Sequence, residues 1–475
     1  MRLLLIDPQP NIDVYRESLV SAPFCPSLTL SMLAGAAALD GHEINILDLR
    51  REQEPLTQLH NQLRRFQPEV IGISVLTMMF PEVQKLAQEI KRVSPDALLL
   101  AGGVHPSAMP EQMLNDTEFD VIVIGEGEQT LREILAGGDL SEIHGLLYRD
   151  GDELKRTPPR ELLKNLDELN LPAYNFFELD RYDVPTLLWK KSRIAMSESS
   201  RGCPFSCIFC ASRLVFSHLW RPKSPDYVIA EVNQLLDWGF EEIHFQDDAF
   251  STDLSRAKEI CHRILALDRR FPWELYNGIR IDRVDDEFLA LAAKAGCYRV
   301  RFGVESGNQR VLDSIGKRVT LAQIREAFRL TRKHDIETIA LFIFGLPEET
   351  NEAMEDSINL ARSLPVDFAR VSVLSPCPGT PLYESWKQEG RILSEDWSEY
   401  HFHPYHNASC LPFDHPHLST KDILRAYYRF YFRFYLRPGY LIDRVRVGWR
   451  RGTLWRDFNY FLKKFVFGII TRRSF

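Results

Sequence analysis

Cys203, Cys207 and Cys210 lie within the ten residues RGCPFSCIFC, four and then three positions apart. Pro204, Ser206 and the glycine and serines around them mark this stretch as loop rather than core. Three thiols so close together serve few ends. Structural zinc takes four tetrahedral ligands, and His218, eight residues beyond Cys210, is the residue within reach to supply the fourth. Thiolates also favour iron–sulfur clusters, and three of them leave one iron of a four-iron cluster open to a substrate. The other cysteines, Cys25, Cys261, Cys297, Cys377 and Cys410, are scattered. They are too sparse for a disulfide scaffold and point to a reducing, cytoplasmic setting.

The elements that must position this loop read as alternating strands and helices. Six strand-like runs, RIAMSES, EEIHFQDD, WELYNGIRI, YRVRFGVES, TIALFIFGLP and ARVSVLSP, are separated by helical stretches such as DYVIAEVNQLLDWG. Repeating units of about thirty residues predict a partial parallel (β/α)6 barrel, whose active residues collect at the carboxyl ends of the strands. The cysteine loop follows the first of these strands. Upstream, RLLLID, EINILD, VIGISV, ALLLAGG and DVIVIGEGE alternate with helices. They predict an α/β, doubly wound parallel sheet of Rossmann-like type. Three of its strand ends are small or glycine-rich: Ser74 to Thr77, Gly102-Gly103-Val104-His105-Pro106, and Gly125-Glu126-Gly127-Glu128. Ligands sit at such ends, so a pocket is expected there. GLLYRDGDELKR reads as a hairpin turning at Asp150-Gly151. The expected boundaries are 1–150 for the first domain, 151–190 for a polar linker, 191–385 for the barrel and 386–475 for a helical, basic C-terminal region.

At 475 residues, 45% hydrophobic and 26% charged, the composition is that of an ordinary globular protein. No run of about 18 apolar residues predicts a spanning helix. The opening MRLLLIDPQP reads as a strand and turn rather than a signal peptide. A net charge of −8 gives no overall attraction to a phosphate backbone, so no nucleic-acid partner is expected. Residues 421–475 differ, with 14 basic against 3 acidic side chains. There Arg425, Arg429, Arg433 and Arg437 recur every four residues among tyrosines and phenylalanines, forming one row along a helix. Two readings stand. The row is a solvated basic face on a helix whose aromatics pack on the barrel, or it makes peripheral contact with an anionic membrane. The second would make a hydrophobic substrate natural.

Cys203-x3-Cys207-x-Phe209-Cys210 after a first barrel strand resembles the signature of the radical S-adenosylmethionine superfamily. With the doubly wound domain before it, residues 1–385 resemble cobalamin-binding radical enzymes, a family that includes the anaerobic magnesium-protoporphyrin monomethyl ester cyclase and carbon methyltransferases. The resemblance implies a [4Fe-4S] cluster on the three cysteines, its open iron chelating the amino and carboxylate groups of S-adenosylmethionine. It implies reductive cleavage to a 5′-deoxyadenosyl radical and an electron donor such as flavodoxin or ferredoxin. Phe209 would lie beside the adenine. Gln246-Asp247-Asp248 falls where the superfamily has Gly-Gly-Glu, which places Asp248, with Asp247, at the methionine ammonium. Asn277 and Arg280 follow strand three; for these two and Asp247, capping a strand end is as ready a reading as ligand contact. Glu305 suits the ribose hydroxyls, Ser306 the carboxylate, and Gly345-Leu346-Pro347 a backbone edge against adenine. Ser74, Thr77, Gly102, Gly103, His105, Gly125, Glu126 and Gly127 would face cobalamin. Where related cobalamin domains carry Asp-x-His-x-x-Gly, this chain reads Asp7-Pro8-Gln9-Pro10-Asn11, with no histidine for cobalt. Many radical members lack it too; a domain that has lost cobalamin and only caps the barrel is the alternative.

The reaction expected from the resemblance is methyl transfer to an unactivated carbon of a small molecule, a hydrophobic one if the tail touches membrane. Cyclisation or rearrangement of a tetrapyrrole or lipid is the alternative. A tRNA-modifying methylthiotransferase would carry three more cysteines in its first domain, where only Cys25 lies, and would end in a small β-barrel rather than helices. A binding module that carries a cluster without turning over is the non-enzymatic reading.

Overall fold

The computed structural model describes residues 1–9, 25–182, 189–401 and 411–461. Leucine-, isoleucine- and valine-rich runs form the first five strands: β1 (Arg2–Asp7), β2 (Glu43–Asp48), β3 (Val70–Ser74), β4 (Leu98–Gly102) and β5 (Val121–Val123). They pair in parallel in the order β2-β1-β3-β4-β5. The hairpin β6 (Leu146–Asp150) and β7 (Glu153–Arg156) adds two antiparallel strands at the edge. Its turn holds Gly151 at a φ of +62°. The runs are apolar throughout because helices cover both faces of the sheet. The helix Leu28–Ala38 packs with Leu3 and Leu5 on one face, and the helix Phe80–Val93 with Leu4 and Ile6 on the other.

The second sheet is wholly parallel. It contains β8 (Ile194–Ser197), followed by a short antiparallel clip of β9 (Ser200–Arg201) and β10 (Arg221–Pro222), then β11 (Glu242–Phe245), β12 (Trp273–Ile279), β13 (Cys297–Glu305), β14 (Glu337–Phe344) and β15 (Phe368–Val373). The order β15-β14-β13-β12-β11-β8 is the six-stranded partial barrel expected from the six strand–helix units. Alternation along β11 sends Ile243 and Phe245 into the apolar core under the helices, and Glu242 and His244 to the opposite face. The buried charges on that face pair among themselves: Glu274 with Arg299 (3.0 Å) and Arg301 (2.8 Å), and Glu242 with His244 (2.7 Å). The connector between the domains is packed: Tyr174 is buried and donates its hydroxyl to the Met196 carbonyl at 2.7 Å. Residues 183–188 of the expected linker lie outside the described residues.

The helix Thr420–Tyr435 closes the barrel. A capping box of Ser419 and Asp422 starts it. Tyr427, Phe430, Phe434 and Tyr435 are buried, Phe430 meeting Phe342 and Phe344 of β14. The hydroxyl of Tyr431 lies 3.3 Å from the Val371 N–H and 3.2 Å from its C=O; that of Tyr435 lies 3.2 Å and 2.8 Å from the same groups of Ala369. These are outer backbone groups of the edge strand β15. Arg425 and Arg429 are exposed, and Arg433 pairs with Glu355. The arginine row thus runs along the outer side of the helix, and most of its rings turn to the barrel; Phe432 alone among them is exposed, at 40%. Among the described residues no helix is long and apolar enough to cross a membrane. Cys410 and residues 462–475 of the basic region lie outside the described residues.

Two pocket expectations fail. His105 is fully buried between the rings of Phe80 and Trp397, with centroids 5.1 and 5.3 Å away, and neither ring nitrogen has a hydrogen-bond partner among the described residues. Thr77 opens a 3-10 turn packed inside the domain. The chain turns immediately after Gly103, so the side chain two residues on points into the core instead of past the sheet edge. Burial lowers the pKa of His105 from 6.5 to about 4. Between those values the unfolded chain takes up a proton that the native state refuses, so stability falls as pH drops through this window. His105→Leu should flatten this acid-side loss by up to about 3 kcal/mol, read from urea midpoints measured at successive pH values.

Candidate active site

The cysteine loop is held from every side. Asp247, at the end of β11, accepts from the Ser199 N–H (2.9 Å) and from the hydroxyls of Ser199 and Ser200 (both 2.6 Å). Gly202 sits at a φ of +78°, and a Cβ there would lie 2.3 Å from the Leu219 carbonyl oxygen. The Phe205 ring lies 3.5 Å under the Arg280 guanidinium, which itself bonds Asp282 (2.9 Å) and the Lys317 carbonyl (2.8 Å). Ile208 donates its N–H to Ile315 O and accepts from Leu382 N–H, each at 3.1 Å. Cys203, Cys207 and Cys210 all emerge half-buried on this frame, as free thiols.

Carboxylates and cations converge on them. Asp248 accepts from the Ser212 hydroxyl at 2.5 Å and lies close enough to Cys203 and Cys210 to raise their pKa; burial is the larger cause and takes Cys210 up to about 12. Glu305 and Lys317 form a buried pair (2.6 Å) beside Cys207. Burial opposes the charge on Lys317, but Glu305 and Cys207 hold its pKa above the ordinary lysine value. Gly303 leaves room for this pair, since a Cβ there would come within 2.6 Å of Glu305 Oε1. Glu305 has a φ of +64°, a strained conformation for a residue with a side chain and one found at functional positions. Among the described residues no His, Cys, Asp or Glu side chains converge as three on one metal ion. Three thiolates on three different irons of a cube need not. The donor set fits such a cluster: three sulfurs on one loop, with Arg280 and Lys317 beside them to offset thiolate charge.

The remaining expected residues divide. Phe209 packs half-buried against the core beside Ile208. Asn277 donates to the Gln246 carbonyl at 2.8 Å at the cavity wall. Gly345, at a φ of +90°, and Leu346 donate their N–H groups to Glu349, and His415 bonds the Leu346 carbonyl at 2.7 Å, so the backbone leading to Pro347 is fixed. Asp247 spends its carboxylate on the loop. Ser306 is buried, its hydroxyl turned to Ser357 (3.3 Å) and the Asn308 N–H (3.2 Å). Neither therefore faces the cavity.

That cavity, about 310 Å3, lies between the two sheets. Ser74, Gly102, Gly103, Gly125, Glu126 and Gly127 line one wall; Glu198, Ser200, Arg201, Gln246 and Asp248 line the other. Gly103 sits at a φ of +109° against Val75, where a side chain is strained, and its place is wall rather than filler. Buried charges join the walls. Arg201 donates to Glu198 (2.6 Å), Glu126 (3.0 Å) and Glu128 (2.6 Å), and Arg221 donates to Glu126 at 2.8 Å. Arg201 and Glu198 escaped the sequence reading, although Arg201 adjoins the cysteine loop, and Glu128 was named only as the end of the glycine-rich stretch.

Residues 19–135 match the B12 binding domain family, and residues 197–361 the radical SAM superfamily. An uncharacterized methyltransferase of Pyrococcus horikoshii is 30% identical over 406 residues, covering 84% of this chain and 86% of that protein. The chain belongs to the cobalamin-binding radical S-adenosylmethionine enzymes. This enzyme is also 28% identical over 389 residues to the anaerobic magnesium-protoporphyrin IX monomethyl ester cyclase of Cereibacter sphaeroides, covering 79% of this chain and 62% of the cyclase. Its fold is shared with the radical S-adenosylmethionine methyltransferase TsrM from Kitasatospora setae: TM-score 0.68, 21% identity, 90% of this chain and 81% of that one. The cofactors of the radical enzyme are a [4Fe-4S] cluster, S-adenosylmethionine and cobalamin. Gly202→Ala should displace the cysteine loop without unfolding the barrel. Its reconstituted iron content should fall to less than about half that of the parent, at a cost of roughly 1–3 kcal/mol in local strain; iron analysis beside circular dichroism checks this.

Proposed function

We propose that this enzyme transfers a methyl group to an unactivated carbon of a small molecule bound between its two domains. The shared cavity carries this reading, because the glycine-rich ends of the first sheet face Arg201, which leads into the cysteine loop, and Asp248, which stands beside Cys203 and Cys210, across one space. Cys203, Cys207 and Cys210 are the cluster ligands. Asp248, beside Cys203 and Cys210, receives the ammonium of S-adenosylmethionine, and Ser212 steadies it. Glu305 keeps one oxygen on Lys317 and offers the other to the ribose. The fixed backbone at Gly345 and Pro347 forms the adenine edge, with Phe209 near it. Ser74, Gly102, Gly103, Gly125 and Gly127 admit cobalamin closely, while Glu126, already spent on two arginines, is a wall. When bound, the cluster supplies the electron that cleaves S-adenosylmethionine, and cobalamin supplies the methyl group. Leu28, Leu33, Leu76, Val104, Val215 and Phe216 keep the space between them apolar and poor in water. At the end of β1, Asp7 pairs with Arg50 at 3.1 Å, and Gln9 stands where a histidine ligand to cobalt would be.

Protein reconstituted anaerobically and supplied with cobalamin should hold about four irons per chain, retain cobalamin without histidine coupling in its cobalt(II) resonance spectrum, and pass label from S-adenosylmethionine to product. Protein that cleaves S-adenosylmethionine yet takes up no cobalamin would remove methyl transfer and leave cyclisation, the reaction named for the 28% identical relative. Unchanged iron in a Cys203→Ala, Cys207→Ala, Cys210→Ala variant would remove the cluster assignment. Asp248→Asn and Glu305→Gln should each keep the cluster absorbance and weaken S-adenosylmethionine binding by about 1.5–3 kcal/mol, measured by equilibrium dialysis; undiminished affinity in both would refute their assignment.

A further inference from the structure

The helix Pro438–Arg451 has two unlike faces. Its inner face is fastened to the barrel. Tyr440 donates its hydroxyl to the Asp367 carbonyl and Arg444 pairs with the Asp367 carboxylate, both at 2.8 Å; Arg451 pairs with the same carboxylate at 3.1 Å, and Asp443 with Arg332 at 3.0 Å. These contacts set the roll of the helix and so define what faces outward. Leu441, Ile442, Val445 and Trp449, spaced for one helical face, are exposed, Trp449 at 79%. After the left-handed Gly452, the helix Leu454–Phe461 adds Trp455, 74% exposed, stacked with Phe458 at 5.9 Å. Packing on the barrel accounts for the buried rings of Thr420–Tyr435, Tyr427, Phe430, Phe434 and Tyr435, but for none of these. Large apolar side chains gathered on one outer face mark an interaction surface.

The charges beside the stripe choose its partner. Arg446 and Arg450 are exposed along it, Arg450 while pairing with Asp335. Residues 421–475 carry 14 basic and 3 acidic side chains. A second copy presenting the same basic face would be repelled. Tryptophans and branched aliphatics flanked by arginines suit the headgroup layer of a bilayer, where the rings sit at the interface and the arginines meet anionic phosphates. We infer that the outer face of Pro438–Arg451 and Leu454–Phe461 is a peripheral docking surface for an anionic lipid bilayer. Asp335 and Glu337 stand at the amino end of β14, and Asp367 at that of β15. The surface therefore lies at the opposite end of the barrel from the cysteine loop, and docking leaves the site mouth turned to water. The bilayer holds the enzyme without feeding it, so a membrane-dissolved substrate is not implied.

The full reconstituted chain should float with vesicles of equal parts phosphatidylcholine and phosphatidylglycerol, stay behind with phosphatidylcholine alone, and be released by added salt. A Trp449→Ser, Trp455→Ser variant should lose at least about tenfold in vesicle partitioning while its circular dichroism, melting temperature and S-adenosylmethionine cleavage remain those of the parent. Absence of flotation, or flotation unaffected by the substitutions, overturns the inference. So does a parent dimer that becomes monomeric in the variant, which would make a second copy the occupant. A lowered melting temperature would show that part of this chain already covers the two rings, and overturns it as well.

Discussion

The guanidinium of Arg201 is buried among Glu198 of its own loop and Glu126 and Glu128 of the other domain, and the relation between the two domains hangs on that contact. Burial works against its charge, but Glu128 and Glu198 hold its pKa well above the ordinary arginine value. Lys223 and Arg221 compensate the surplus of carboxylates, Lys223 through Glu198 at 3.6 Å and Arg221 through Glu126. Such an arrangement is specific rather than merely adhesive. Its hydrogen-bond directions are fixed by the planar fork of the guanidinium, and one missing partner leaves a buried charge worth about 3–5 kcal/mol against folding. Because the next two residues are Gly202 and Cys203, this side chain, with Arg221 on Glu126, ties the start of the cysteine loop to the glycine-rich sheet edge.

Adjacent carboxylates on one strand end show how environment divides labour. Asp247 and Asp248 are neighbours in sequence and both are buried enough to resist ionisation. Asp247 takes three donors from the loop, is buried and does not border the cavity. Asp248 has one, from Ser212, and borders the cavity. A dipeptide that reads as one motif is therefore a brace and a piece of cavity wall side by side.

Much of this was legible in the chain. The apolar runs ending in Gly, Asp or Ser became strands of both sheets, because a sheet buried under helices demands such runs. The cysteine spacing located the loop, since a cluster limits spacing more tightly than packing does. The failures have a common cause. His105 sits two residues past a strand end, yet the turn at Gly103 sends it into an aromatic cage closed by Trp397, almost three hundred residues away. Arg201 meets Glu128 across 73 positions and Arg221 meets Glu126 across 95, pairings that no local pattern can announce. Packing on the barrel was one of two readings of the aromatic tail; its tyrosines gave no hint that their hydroxyls, as well as their rings, were needed.

Those hydroxyls matter for a sheet that stops at six strands. A full barrel has no margin, whereas a partial one leaves its last strand with a row of unspent donors and acceptors. In β15 the outward amide groups of Ala369 and Val371 are taken by Tyr435 and Tyr431, so the helix does for the edge what a seventh strand would have done. The opening can then stay wide without inviting another chain to complete it. A barrel left ajar for its reactants is, on this side, closed to its neighbours.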